Sequence, residues 1–334
     1  MRLPKGLIYT SDDIPGITRT RRGKGYSYAT PDGKLITAPG EKQRLGALAI
    51  PPAYRDVWYC PLPNGHLQAT GLDDKGRKQY RYHELWTIWR DNQKFQELLE
   101  FGLALPKLRS AMAYAMKPEG VSRERILGAV VKLLDRTAAR IGNETYYQEN
   151  GTSGLTTLRK RNADIDGNNI HLSYTAKGHK EREFDLNHPT LSKIISEMEE
   201  LPGQRLFQYR ENGKHHPIES TQVNEWLKDK SELEGVSAKF FRTWHASRLT
   251  LAGLLTCDEE ESATARIHQE TEVLKLTSKQ LGHRPPVCKK HYVHPEILAL
   301  HRAGRLKPLF TKPVKKITGL STNEAQLIHF LQKV

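Results

Sequence analysis

Tyr292 closes the stretch LGHRPPVCKKHY, nine residues after His283, with basic residues, two prolines and a cysteine between them. A tyrosine so placed is either an amphipathic aromatic seated against a core or an oxygen nucleophile working with the histidine. A free phenol has a pKa of about 10, so about one molecule in a thousand is ionised at pH 7. Attack on a phosphodiester also builds negative charge on its non-bridging oxygens, which pre-placed donors must meet. Arginine suits that task, because its planar fork spans two phosphate oxygens and keeps its charge. No carboxylate cluster suited to magnesium stands out.

Composition points to a polyanionic partner. The chain has 334 residues, with 52 Lys and Arg against 38 Asp and Glu and a formal net charge of +14. Cations gain free energy by releasing the counterions condensed on phosphates, so nucleic acid leads and an acidic membrane surface follows. No apolar run approaches the ~18 residues needed to span a bilayer. The amino terminus lacks the apolar stretch of a signal peptide. Cys60, Cys257 and Cys288 are widely separated, with no CxxC or HExxH motif, so three reduced thiols are expected rather than a zinc site.

The elements that must position these residues follow from periodicity. Residues 1–89 read as a small β-rich domain: GYSYATPDGKLIT carries a hairpin signal at Pro-Asp-Gly, and further strands break at Pro-Asn-Gly and Asp-Asp-Lys-Gly. From Glu84 the pattern turns helical, and residues 90–334 form a larger, mainly helical domain. Ser122 is placed to cap a helix whose apolar stripe runs from Ile126 through Ala138 and Ile141, with Gly142 and Asn143 stopping it. A β-meander follows, with turns at Asp-Gly-Asn-Asn and Ala-Lys-Gly-His-Lys. Three further helices cover STQVNEWLKDK, AKFFRTWHASRLTLAGLL and TARIHQETEVLKLTSKQLG. Residues 264–334 hold 13 Lys and Arg against 4 Asp and Glu, which concentrates the excess charge toward the carboxyl end. The run from Arg19 to Lys24 reads as a solvated basic loop that could touch a phosphate backbone.

Five elements occur in order: GLDDKGRKQYRYH, ARIGNETYYQENGTSGLTTL, TAKGHKEREF, KFFRTWHAS and LGHRPPVCKKHY. Together they resemble the type IB DNA topoisomerases of the compact kind found in poxviruses and bacteria. The resemblance implies an α+β clamp around double-stranded DNA that uses neither ATP nor a metal and has no cofactor. It implies a monomer without membrane or obligate protein partners, acting in the bacterial cytoplasm on nucleoid DNA.

It also implies site residues. Tyr292 is the nucleophile, Arg140 and Arg242 are the two arginines, and His283 donates to a non-bridging oxygen. Lys177, at the start of the second meander turn, protonates the departing 5′ oxygen. Neighbours compete in each case: Arg136 with Arg140, Lys180 with Lys177, and the H-x-x-R pair His245 and Arg248 with Arg242. The topoisomerase-like sequences carry a lysine where recombinases carry that histidine, and Lys239 supplies it. Lys78, Gln79, Tyr80 and Arg81 match a segment lying in the DNA major groove, and Lys289 and Lys290 read as phosphate contacts. Two rivals stand beside this reading: a tyrosine recombinase, and a non-catalytic basic DNA-binding protein.

Overall fold

The computed structural model describes residues 3–23 and 25–334, without the side chains of residues 91, 92 and 94. The chain divides into two compact units, Met1–Phe95 and Gln96–Val334. Among the described residues no helix is long and apolar enough to cross a membrane. The architecture is α+β, with helices and separate small antiparallel sheets.

The first unit is built on strands β1 (Ile17–Arg22) and β2 (Gly25–Ala29), helix α1 (Pro39–Ala47), and strands β3 (Arg55–Tyr59), β4 (Leu67–Leu72) and β5 (Lys78–Tyr82). The strands form one antiparallel sheet in the order β2-β1-β3-β4-β5. Ile17, Tyr28, Ile36, Leu45, Tyr59 and Ala69 form its core. The Pro-Asp-Gly turn exists, but it closes only a single bridge between Ala29 and Leu35. The true partner of β2 is β1, so the basic run is a hairpin arm and not a loop. Arg19 is spent internally, donating to the carbonyls of Ile50, Pro51 and Tyr54 at 2.9, 2.7 and 3.1 Å. Lys24 lies outside the described residues.

Helix α2 (Glu84–Ala115) starts where the alternating pattern ends and contains Pro106. The second unit continues with α3 (Arg123–Thr137), α4 (Glu144–Asn150), the meander β6 (Ala163–Asp166), β7 (Asn169–Ala176) and β8 (Lys180–Asn187), and α5 (Pro189–Glu199). After the hairpin β9 (Gln208–Glu211) and β10 (Lys214–Pro217) come α6 (Ser220–Ser231), α7 (Lys239–Thr256), α8 (Ala263–Leu281), α9 (Pro285–His291), α10 (Pro295–Arg302) and α11 (Thr322–Leu331).

The long helix stops earlier than its stripe suggests. Ser122 caps α3, its side chain accepting from the Arg125 N–H. Its other end is Thr137, because Ala138 takes a left-handed conformation, φ +50°. Thr137 Oγ1 fastens the stop by donating to Leu133 O and accepting from the Ala139 N–H. Ala138 and Ala139 are buried all the same. Burial therefore continued the periodic pattern past the point where the backbone left the helix.

The carboxyl-terminal segment packs behind this framework. Glu324 of α11 takes both Arg109 Nη2 (2.7 Å) and the Trp244 indole N–H (3.3 Å). Arg109 also grips Asp135 of α3 at 2.9 Å. Leu327, Ile328 and Phe330 are fully buried beside it.

Candidate active site

Arg140 does not sit on α3 but on the six-residue loop that follows it. Its carbonyl accepts from the Leu155 N–H (2.9 Å), and Ile141 O accepts from the Thr156 N–H (2.7 Å) and hydroxyl (3.0 Å). This brings Gly142 (φ +91°) against Gly154 so closely that a Cβ on Gly154 would lie 2.4 Å from the Gly142 nitrogen. Only glycine fits there. One residue earlier, the Ser153 N–H binds Thr175 O of β7 at 2.8 Å. The Arg140 loop is thereby fixed to the strand that leads into Lys177.

Lys177 opens the three-residue turn 177–179 between β7 and β8. Gly178 and His179 both have positive φ, which reverses the chain and leaves Lys177 exposed. Its ammonium lies 5.1 Å from the ring centre of Tyr146 on α4.

Arg242 comes from the first turn of α7 and is 4% exposed. It donates to Ala138 O, to Leu281 O at 2.8 Å, and to His283 Nε2. The left-handed Ala138 is thus one of its anchors. Burial and the nearby Arg140 charge push the guanidinium down to about 10, so it stays cationic at neutral pH.

His283 follows Gly282, the left-handed cap of α8, and its N–H binds Ser278 O at 2.8 Å. Because Nε2 accepts from Arg242, the ring proton belongs on Nδ1, a buried atom with no hydrogen-bond partner among the described residues. Burial, then Arg242, Arg140, Lys180 and Arg182, press its pKa down to about 3. The imidazole is neutral at pH 7.

Tyr292 caps the carboxyl end of α9 and is half-buried. Its carbonyl accepts from Ser247 Oγ (3.2 Å), and the same hydroxyl accepts from the His294 N–H (3.0 Å). Its ring stacks on His283 with centroids 4.3 Å apart. Arg242 Cζ and Lys239 Nζ stand 5.4 and 6.0 Å from its centre. Arg140, Lys177, Lys239, Arg242 and Tyr292 line one cleft of about 290 Å³, with Gly142, Tyr146 and Ser153 in its wall. Sequence reasoning missed Tyr146, Ser247 and the glycine pair. The ARIGNETY spacing held the signal for Tyr146, six residues after Arg140.

The competing residues go elsewhere. Arg136 is exposed on α3. Arg248 donates to His245 Nδ1 at 3.3 Å, and His245 Nε2 donates to Asp135 O at 2.8 Å, which makes the H-x-x-R pair part of the packing. Burial and the Arg248 charge take His245 down to about 4.

The expected DNA contacts divide. Tyr80, 50% exposed, and Arg81 point outward on β5, and Tyr80 stacks on Tyr82 with centroids 6.2 Å apart. Lys78 instead pairs with Asp12 at 2.6 Å, and Gln79 donates to Asp73 at 3.0 Å. Lys290 is exposed. Lys289 is exposed too, its ammonium paired with buried Glu270 at 2.8 Å beside Arg302. A buried carboxylate demands its counter-charge, and nothing in the local sequence announced Glu270.

A family model of the eukaryotic DNA topoisomerase I catalytic core matches residues 78–303. A model of the bacterial DNA topoisomerase IB N-terminal domain matches residues 25–73. The chain is 29% identical over 296 residues to DNA topoisomerase 1B of Acanthamoeba polyphaga mimivirus, covering 86% of this chain and 88% of that protein. It is 22% identical over 256 residues to DNA topoisomerase 1B of Vaccinia virus (strain Copenhagen), covering 74% and 76%. Over 189 residues it is 30% identical to DNA topoisomerase 1 of Mycosarcoma maydis, covering 51% of this chain and 18% of that protein. With a catalytic-core model matching most of its length and a bacterial amino-terminal model preceding it, the chain belongs to the type IB DNA topoisomerase family.

Proposed function

We propose that this chain relaxes supercoiled duplex DNA by cutting, swivelling and resealing one strand. The Tyr292 phenol oxygen attacks a backbone phosphorus, the bond from phosphorus to the 5′ oxygen breaks, and a 3′-phosphotyrosyl link remains. The phenol proton leaves to solvent, and Lys177 gives a proton to the departing 5′ oxygen, since an alkoxide is a very poor leaving group. Arg140 and Arg242 hold the non-bridging oxygens. With a phosphate in the cleft, Arg242 turns Nη2 toward it, and His283 moves its proton to Nε2 to donate alongside. The freed strand rotates, and its 5′ hydroxyl then attacks the phosphotyrosine and restores the backbone. Each step exchanges one phosphoester for another of similar energy, so ATP has no work to do.

The observation that carries this reading is the single cleft shared by Tyr292, Arg140, Arg242 and Lys177, with His283 stacked on Tyr292. In this reading the enzyme is a monomer acting on chromosomal DNA in a bacterial cytoplasm. Its two units both engage the duplex, the first through Tyr80 and Arg81 of β5.

Negatively supercoiled plasmid incubated in EDTA without ATP tests the activity. Ladders of relaxed topoisomers from the wild type are expected. Joined products from paired sites would point to a recombinase, and binding without nicking to a DNA-coating protein; either would overturn the proposal.

A further inference from the structure

Strand β8 carries an arginine to which the reaction as written gives no task. Lys180, Arg182, Phe184 and Leu186 are its less exposed residues, and Glu181 and Glu183 alternate to the open face. Arg182 lies opposite Tyr174 of β7, with its guanidinium 4.7 Å from the centre of the Phe184 ring. Its Nη2 donates to Gln280 O at 2.7 Å and its Nη1 to Lys279 O at 3.3 Å. Both carbonyls belong to the last turn of α8, where a helix leaves acceptors unpaired and carries partial negative charge.

The next carbonyl, Leu281 O, is taken by Arg242 Nη2 at 2.8 Å. Three consecutive carbonyls at the end of α8 are therefore held by two arginines, one from the Lys177 hairpin and one from α7. Gly282 follows with φ +68°, and a Cβ there would lie 2.9 Å from Arg182 Cδ. The arginine thus lies across the cap from which His283 departs.

This contact completes a grip on the hairpin from both of its strands. Through Thr175 O, β7 is bonded to the Ser153 N–H and so to the Arg140 loop. Through Arg182, β8 is bonded to the cap before His283. Lys177 stands at the tip, five residues before Arg182. Any slip between hairpin and cap changes the span from the Lys177 ammonium to the His283 ring, and misplacement by about 1 Å can cost about 10²-fold in rate.

We propose that Arg182 is a positioning residue that sets Lys177 and His283 at a fixed separation, so that one phosphate meets both together. It acts through the α8 carbonyls and not on the phosphate. The inference rests on the roles given to Lys177 and His283 above.

Single-turnover cleavage by full-length Arg182→Met tests it, since methionine keeps an unbranched stem on Phe184 and loses both donors. Cleavage of an ordinary duplex should slow about 10–10²-fold. With sulfur in place of the bridging 5′ oxygen, the share owed to Lys177 vanishes and the defect should shrink by about threefold or more. On the sulfur substrate in a His283→Ala background, Arg182→Met should change the rate by less than about twofold, because neither partner is left to position. Arg182→Lys, with one donor head for two carbonyls, should show the same pattern with smaller losses, and it carries the test if the methionine variant does not fold. No defect, or a defect of equal size on both substrates and in both backgrounds, would overturn the proposal. Lys177→Ala with Arg182 intact is measured alongside. If sulfur rescues Lys177→Ala but not Arg182→Met, the coupling alone is overturned; if it fails to rescue Lys177→Ala, the general-acid role falls and the coupling with it.

Discussion

The imidazole of His283 lies nearly parallel to the Tyr292 ring, centroids 4.3 Å apart and 24° between planes, while its Nε2 takes a hydrogen bond from Arg242. The histidine therefore touches both the proposed nucleophile and one of its arginines. His283→Ala removes the donor that the proposed proton move to Nε2 creates, and cleavage of a duplex in single turnover should slow about 10²-fold. His283→Gln, which keeps an N–H, should recover much of that loss. Equal defects in the two variants would mean that stacking, not donation, is the histidine's role.

Lys177 acts on the leaving group alone in this account. Lys177→Ala should slow cleavage about 10²–10⁴-fold, the range for a missing general acid. A substrate with sulfur in place of the bridging 5′ oxygen leaves readily without a proton. On that substrate the variant should match the wild type. A defect that persists would assign Lys177 to phosphate binding instead.

Gly154→Ala tests the packing that holds Arg140. The new methyl would lie 2.4 to 2.6 Å from Gly142 and from the Arg140 carbonyl, so the loop must shift. A loss of about 1–3 kcal/mol in urea unfolding is expected, with slower cleavage than that loss accounts for. A variant of normal stability and activity would show that the glycine contact is dispensable.

These particulars show which features the sequence exposed. Tyr292, His283, Lys177 and Arg242 could be singled out because their short motifs also carry their local structure: a turn, a helix start, a helix cap. The Ala138 stop could not, since Ala138 and Ala139 are buried like helix residues while the backbone turns left-handed. The ion-pair and hydrogen-bond partners of Lys289, Lys78 and Arg19 escaped the sequence reading for a different reason. Their partners Glu270, Asp12 and the Ile50–Tyr54 carbonyls lie 19 to 66 residues away, and exposure read from local sequence cannot register such contacts. The Gly142–Gly154 contact and the Ser247 bond to Tyr292 are likewise products of tertiary structure.

Acid should destabilise the protein in two stages. His283 and His245 are held neutral, near 3 and 4, whereas an unfolded histidine titrates near 6.5. Between those values the unfolded chain binds more protons, so stability is full above about pH 6.5 and falls as pH drops toward 4. Burial would raise the Glu324 carboxyl, but Arg109 and Ser321 hold it down at about 2, so its contribution is lost only below about pH 4.5. Urea midpoints across pH 3–8 should show both declines, and Glu324→Gln should flatten the second. A midpoint that holds level from pH 7 to 5 would contradict the neutral histidines.

Trapping the covalent complex tests the central claim most directly. Wild-type protein is quenched with detergent on a duplex radiolabelled at the 5′ end or the 3′ end of the cut strand, and the adduct is mapped by proteolysis. Label should stay with protein only from the 5′-labelled strand, on the peptide containing Tyr292, and Tyr292→Phe should yield none. An adduct on another residue, retention of the 3′-labelled fragment, or an adduct that survives Tyr292→Phe would contradict the account.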